Sequence, residues 1–273
     1  MAIRLQILLP FSILHLMTQQ EILTLIQETK DKKLTQLSLY NRGIEKLPPE
    51  IGQLTQLEEL DLSENKLSSL PPEITKLKDL KILHLDYNAF TKFPAYIDQL
   101  NNLKDLDLSK NQLTQIPASL GELKNLQKLI LRANKITLIV DEIRNLQQLH
   151  YLDLSENKLS QLTGSVGNLK KLTDLNLYDN ELESLPASIT NLSLLQHINV
   201  SYNNLKKFPL ALCRLYKLLQ FDLSNNQITH IPEQIGELVK LNSIYLRENQ
   251  IEKLPPQIGQ LTAITSIDIA NNK

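Results

Sequence analysis

The chain has 273 residues, with 30 acidic against 29 basic side chains and a formal net charge of −1. That balance excludes whole-molecule attraction to nucleic acid or to an anionic membrane surface. Cys213 is the only cysteine, which excludes an intrachain disulfide and favours a reducing, cytosolic setting.

Residues 1–16, MAIRLQILLPFSILHL, carry two readings. One is a signal-like export segment, with Arg4 ahead of an apolar stretch; in that case the protein is secreted. Against it, Gln6, Pro10, Ser12 and His15 interrupt the stretch, and no small-residue cleavage site follows. The other is an upstream extension ahead of a natural start at Met17, and it fits the following residues better. The same polar interruptions and the short length exclude a membrane span.

Thr18-Gln19-Gln20-Glu21 is a capping-box sequence, and Met17 and Ile22 are spaced as a hydrophobic staple. Ile22, Leu25 and Ile26 then share one helical face. Residues 17–33 are therefore expected to form an N-terminal cap segment, with its helix over 18–31.

From Leu34 to Lys273 the chain is one repeat array. Asn65, Asn88, Asn111, Asn134, Asn157, Asn180, Asn203, Asn226, Asn249 and Asn272 recur every 23 residues without insertion or deletion. Counting from the first Leu of a copy, the apolar frame falls at offsets 1, 4, 6, 11, 14, 18 and 21, with Asn at 9 and Pro at 15. Ten full copies begin at Leu34, and a truncated eleventh begins at Ile264. A fixed period of this length means stacked supersecondary units, each burying its neighbour's face.

Within a copy, Leu at offsets 4 and 6 alternates with polar residues, the two-residue period of a strand with one buried face. Stacked, these strands form one parallel sheet of roughly 50 Å, at about 4.8 Å per strand. Asn at offset 9 is placed to satisfy backbone groups where the chain leaves the strand. Pro at offset 15 opens an irregular or short-helical return on the convex side. Val140 and Thr163 replace that proline in two copies, where a local change of convex path is expected. Arg42 stands where the first copy would carry Asn. At the other end, Ile264, Ile267 and Ile269 are expected to leave an uncapped strand edge. That edge belongs to a fragment of a longer protein, or is covered by a partner or by self-association.

These repeats resemble the leucine-rich repeat family over everything from Leu34 onward. The flavour of Leu47-Pro48-Pro49-Glu50-Ile51-Gly52-Gln53-Leu54 is similar to intracellular Ras-group repeats and to the repeat arrays of bacterial Roco proteins. The resemblance implies an α/β solenoid, a horseshoe with a concave parallel β-sheet, that binds other proteins. It also leaves open a regulatory or sensor arm of a larger Roco-like signalling protein, or a secreted surface-binding virulence factor.

No motif points to catalysis, and no cofactor or metal is expected. Gly164-Ser165-Val166-Gly167 is the nearest glycine cluster and lacks the lysine of a phosphate loop. His84 and His197 lie five copies apart, too distant to share a metal. Asp105 and Asp107 share a face but have nothing beside them to bury and raise one of the pair. Cys213 reads as an inert small residue.

The outward offsets of the sheet are 3, 5, 7 and 8. They hold thirteen carboxylates against four bases, a balance of −9, so the rest of the chain carries +8. An acidic concavity would steer a partner with a basic surface, although Asp61, Asp107, Asp153 and Asp222 also belong to the default LDLS strand. Six of the eight tyrosines, Tyr40, Tyr87, Tyr151, Tyr178, Tyr202 and Tyr245, fall on those offsets. Exposed aromatics on a rigid surface are what interface centres concentrate. The expected contact surface for a protein or peptide is therefore Tyr178 and Tyr202 with Tyr151, Asn176, Asp179, His197, Asn199 and Asp222, extended by Tyr245 and Arg247. A second patch comprises Ile82, His84, Tyr87 and Ile130.

Overall fold

The computed structural model describes residues 16–273. The readings that turn on residues 1–15 lie outside the described residues. Helix α1, Gln19–Asp31, starts at Thr18, whose hydroxyl accepts the Glu21 N–H while the Glu21 carboxylate accepts the Thr18 N–H at 2.7 Å. Ile22 and Ile26 are buried, and Met17 packs against the same core. The helix packs on the first copy and covers apolar surface at that end of the described array.

Eleven three-residue strands follow: β1 Gln36–Ser38, β2 Glu59–Asp61, β3 Ile82–His84, β4 Asp105–Asp107, β5 Lys128–Ile130, β6 Tyr151–Asp153, β7 Asp174–Asn176, β8 His197–Asn199, β9 Gln220–Asp222, β10 Ser243–Tyr245 and β11 Ser266–Asp268. They pair in parallel and in sequence order, each residue opposite the one 23 positions on. The strands are short because only offsets 3 to 5 lie between the inward turns of the apolar frame. Leu60, Leu83, Leu106, Leu129 and Leu152 at offset 4 are fully buried, and Phe221 takes the same place in β9. Phe221 meets Phe208 edge-on at 5.8 Å, so one large ring is accommodated by another.

The asparagine ladder joins the copies. The Asn157 amide donates to the carbonyls of Leu131, Leu154 and Ser155 at 3.0 Å each, and its Oδ1 accepts the Ile136 N–H at 3.0 Å. Asn65 makes the same set, and its Oδ1 also takes the Arg42 N–H at 3.1 Å. Each link spans two copies, so a ladder residue satisfies groups that the strand ends would otherwise leave unpaired.

On the convex side each return is a short 3-10 segment such as Pro72–Lys76 or Ala187–Asn191. The expected change of path at Val140 and Thr163 does not occur. Val140 holds φ −71° and ψ 153°, and Thr163 holds φ −60° and ψ 142°, against −66° and 145° at Pro186. Both non-proline residues simply adopt proline's backbone, and the Thr163 hydroxyl adds a cap by accepting the Ser165 N–H at 3.2 Å. The departure lies instead in the copy that contains Pro94. There Tyr96 takes a left-handed φ of 71° and the 3-10 segment shrinks to Ile97–Gln99. At the far end of the sheet, Ile267 and Ile269 are exposed.

Candidate functional site

Offset 8 bends the chain out of every strand in the left-handed conformation, from Asn41 at φ 52° to Asn271 at φ 58°. Tyr87 and Tyr202 occupy it at 51° and 55° and are half exposed. A bulky side chain carries a steric penalty there, but the turn recurs in all eleven copies and is set by the repeat. The offset 8 side chain is exposed at Tyr87, Lys110, Asp179, Tyr202 and Glu248 and partly buried at Asn41, Glu64, Ala133, Glu156 and Asn225.

Offset 7 behaves differently from the expectation that it faces outward. Ser63, Ser109, Ser155, Ser201 and Ser224 are all buried. The cause is the residue at offset 5. Asp61, Asp107, Asp153 and Asp222 each accept the N–H of the serine two residues on, at 2.8 to 3.0 Å, which folds the small side chain back beneath the turn. The aspartates of the default strand therefore have a local structural role, and Asn176 and Asn199 fill it without charge, accepting from Tyr178 at 3.1 Å and Ser201 at 2.9 Å. Asp153, counted above among the outward acids, is itself buried and takes further bonds from Asn176 and Tyr151.

Tyr178 is too large to tuck under as serine does, so it stays half exposed and meets Tyr202. Their ring centroids lie 5.2 Å apart with the planes at 66°, an edge-on contact. The two rings line an open groove of about 370 Å³ together with Tyr245, Arg247, Asn199 and Asp222. These six of the ten expected contact residues line one cavity. Ser201, Ser224, Asn225, Glu248 and Asp268 complete it and lie outside the expected contact surface. The remaining four lie beside it. His197 turns toward β7, its Nδ1 lying 2.8 Å from Asp174; Asn176 donates to Asp153 at 3.2 Å; Asp179 is exposed at its turn. Tyr151 is half-buried, and burial followed by the charge of Asp153 pushes its hydroxyl pKa up. Burial and Asp179 do the same to Tyr178.

The bases of this face are largely engaged. Lys128 pairs with Asp105 at 3.2 Å, Arg132 pairs with Glu156, and Arg247 lies 3.6 Å from Glu248. Uncompensated acidity therefore remains in the concavity.

In the second patch, Tyr87 is covered by Lys110, whose Nζ lies 5.2 Å from the ring centroid. Ile82 and Ile130 are half-buried on β3 and β5, separated by β4, and His84 stands between Asp61 and Asp107 in the strand register. The residue missed here is Asp86. Burial first, and then the charge of Asp107, raise its pKa from 3.8 to about 6. The available signal was an aspartate at offset 7, where serine is usual. Cys213 is buried and its thiol is pushed up to about 12, chiefly by burial, which makes it a poor nucleophile. Among the described residues there is no group of three or more metal-ligating side chains, and no helix long and apolar enough to cross a membrane.

Family models match residues 13–139 as a leucine-rich repeat region, 124–182 and 147–205 as leucine rich repeats, and 217–238 as a further repeat. A leucine-rich repeat protein of Leptospira interrogans is 36% identical with a TM-score of 0.77, over 90% of this chain and 69% of that one. This chain belongs to the leucine-rich repeat family. The plant peptide hormone receptor RGFR1, solved in complex with RGF2, is also 36% identical, with a TM-score of 0.69 over 87% of the chain. This leucine-rich repeat protein spans 44% of the receptor's length. The internalin InlF of Listeria monocytogenes shares the fold, with a TM-score of 0.65 at 20% identity over 93% of this chain and 88% of that one. Among curated proteins none matches the sequence.

Proposed function

We propose that this chain is a non-enzymatic interaction module whose concave face binds a protein or peptide, with Tyr178 and Tyr202 at the centre of the contact. The observation that carries the reading is the aromatic pair itself, half exposed and edge-packed on a rigid wall. Strands β2 to β10 are paired on both sides, so their backbones offer no free ladder. A partner must therefore read side chains, and a preformed sheet presents them with little ordering entropy to oppose binding. The likeness to a receptor solved in complex with RGF2 supports the same class of activity.

The test is affinity capture from native lysate with the wild type and the Tyr178→Ala/Tyr202→Ala pair. Both positions accept alanine in other copies, at Ala270 and at Ala133 with φ 53°, so the variant should keep the fold. A partner held by the wild type should be weakened by about 2 kcal/mol or more in the pair. Equal retention by both proteins would overturn the reading.

A further inference from the structure

Strand register places Asp222, Tyr245 and Asp268 in one row across β9, β10 and β11. At about 4.8 Å between strands, an aspartate stands on each side of Tyr245 in the sheet. Each aspartate commits its Oδ1 to the backbone, to the Ser224 N–H at 2.8 Å and to the Ala270 N–H at 3.0 Å. Neither Oδ2 has a hydrogen-bond partner among the described residues. The base that lines the groove, Arg247, is drawn to Glu248, which also accepts from Asn271. Two unpartnered carboxylate oxygens and an aromatic residue thus share one row of an open groove, and among the described residues no base pairs with either aspartate.

We propose that this row seats an arginine side chain of a basic, extended partner segment, stacked on Tyr245 and bridging Asp222 and Asp268. The proposal rests on the concave binding reading above and names the chemistry of its partner. A planar guanidinium stacks on a ring face while its donors radiate in the plane to both sides. A lysine ammonium is a compact point charge without that planar spread of donors. In two comparable rows one of the two carboxylates is already engaged within the chain. In Asp61–His84–Asp107 the Asp61 Oδ2 accepts the Ser38 hydroxyl at 3.0 Å. In Asp107–Ile130–Asp153 the last carboxylate is buried under Asn176 and Tyr151.

The experiment selects a displayed random-peptide library on the full chain, then measures each selected peptide with arginine or citrulline at the enriched position. The discriminating variant is Asp222→Asn/Asp268→Asn. Asparagine caps the same turn in β7 and β8, through Asn176 and Asn199, so the variant removes charge while keeping the local bonds. Arginine should be enriched at one position, and citrulline or the Asn pair should each weaken binding roughly tenfold. Selected peptides without arginine, or binding that survives the Asn pair, would overturn the proposal. Peptides lost by Tyr178→Ala/Tyr202→Ala but indifferent to the Asn pair would leave the concave reading standing and remove the arginine row. Peptides indifferent to both variants, or a library that yields no binder, would remove both.

Discussion

Asn157 and Ile136 lie in adjacent copies, and the Asn157 Oδ1 accepts the Ile136 backbone N–H at 3.0 Å inside the core. The bond makes one copy's side chain a structural part of its neighbour's turn. Asn157→Ala should leave that N–H without a partner and take one of two bonds from the carbonyls of Leu131, Leu154 and Ser155, which keep those from the Asn134 amide, the Asn180 amide and the Ala133 N–H, at a cost of about 2 kcal/mol. Asn272 makes the equivalent bonds, but its own amide contacts to Ile269 and Ala270 are exposed, so water can replace them. Asn272→Ala should therefore cost less than about 1 kcal/mol. Denaturant midpoints of the two variants check this; equal losses would show that burial of the ladder is not what gives it weight.

Gly167 illustrates how closely the convex returns stack. A Cβ built there would lie 2.3 Å from the Ser188 carbonyl oxygen and 2.7 Å from its Cβ, whereas one at Gly259 would meet nothing within 4 Å. Backbone cannot yield as a flexible side chain can, so Gly167→Ala should destabilise by about 2 kcal/mol. Gly259→Ala should be neutral or stabilising by up to about 1 kcal/mol, through reduced freedom of the unfolded chain. Thermal unfolding of both variants distinguishes close packing from a general dislike of alanine in these segments.

Asp86 gives the stability a pH dependence of definite sign. Its folded pKa, about 6, lies above the ordinary 3.8, so the folded chain holds this proton more tightly than the unfolded chain. Stability must then fall as pH rises from 3.8 through about 6, and stay reduced above it. Asp86→Asn keeps the shape and removes the charge. Solvent screening of a half-exposed group limits the gain to the order of 1 kcal/mol at neutral pH. The gain should vanish below the ordinary carboxylate range. Urea denaturation of both proteins on either side of that window tests it, and a gain that persisted in acid would assign the effect to packing instead.

The period and the core were legible in the residues because each apolar offset repeats ten or eleven times, and burial follows the frame through the interior copies, with Ile267 and Ile269 of the last strand exposed. The meeting of Tyr178 and Tyr202 was legible for the same reason, since neighbouring offsets in adjacent copies must lie close. What periodicity does not carry is the local bonding at the strand's end. The alternation rule points offset 7 outward, but the Asp222 carboxylate holds the Ser224 N–H and turns that side chain under. The same rule treats Asp86 as solvated, although its position beside Asp107 and beneath the turn withdraws it from water. At Tyr96 the sequence shows proline two residues earlier and predicts an ordinary return, while the backbone takes a left-handed turn that no residue type there signals.

Val140 already has proline's backbone, at φ −71° and ψ 153°, and its N–H has no backbone acceptor among the described residues. Eight of the ten full copies carry proline at this offset. Val140→Pro should therefore stabilise by about 0.5 kcal/mol, the entropy removed from the unfolded chain outweighing a modest loss of packing at a half-buried site. Thr163 shares the backbone geometry but not the outcome. Its hydroxyl donates to Asp141 and caps the Ser165 N–H, and Thr163→Pro would forfeit both bonds. That variant should lose stability despite the same entropic gain. Parallel thermal denaturation of the two proteins separates these effects, because a purely entropic account predicts gains at both positions, whereas the hydroxyl's bonds predict opposite signs.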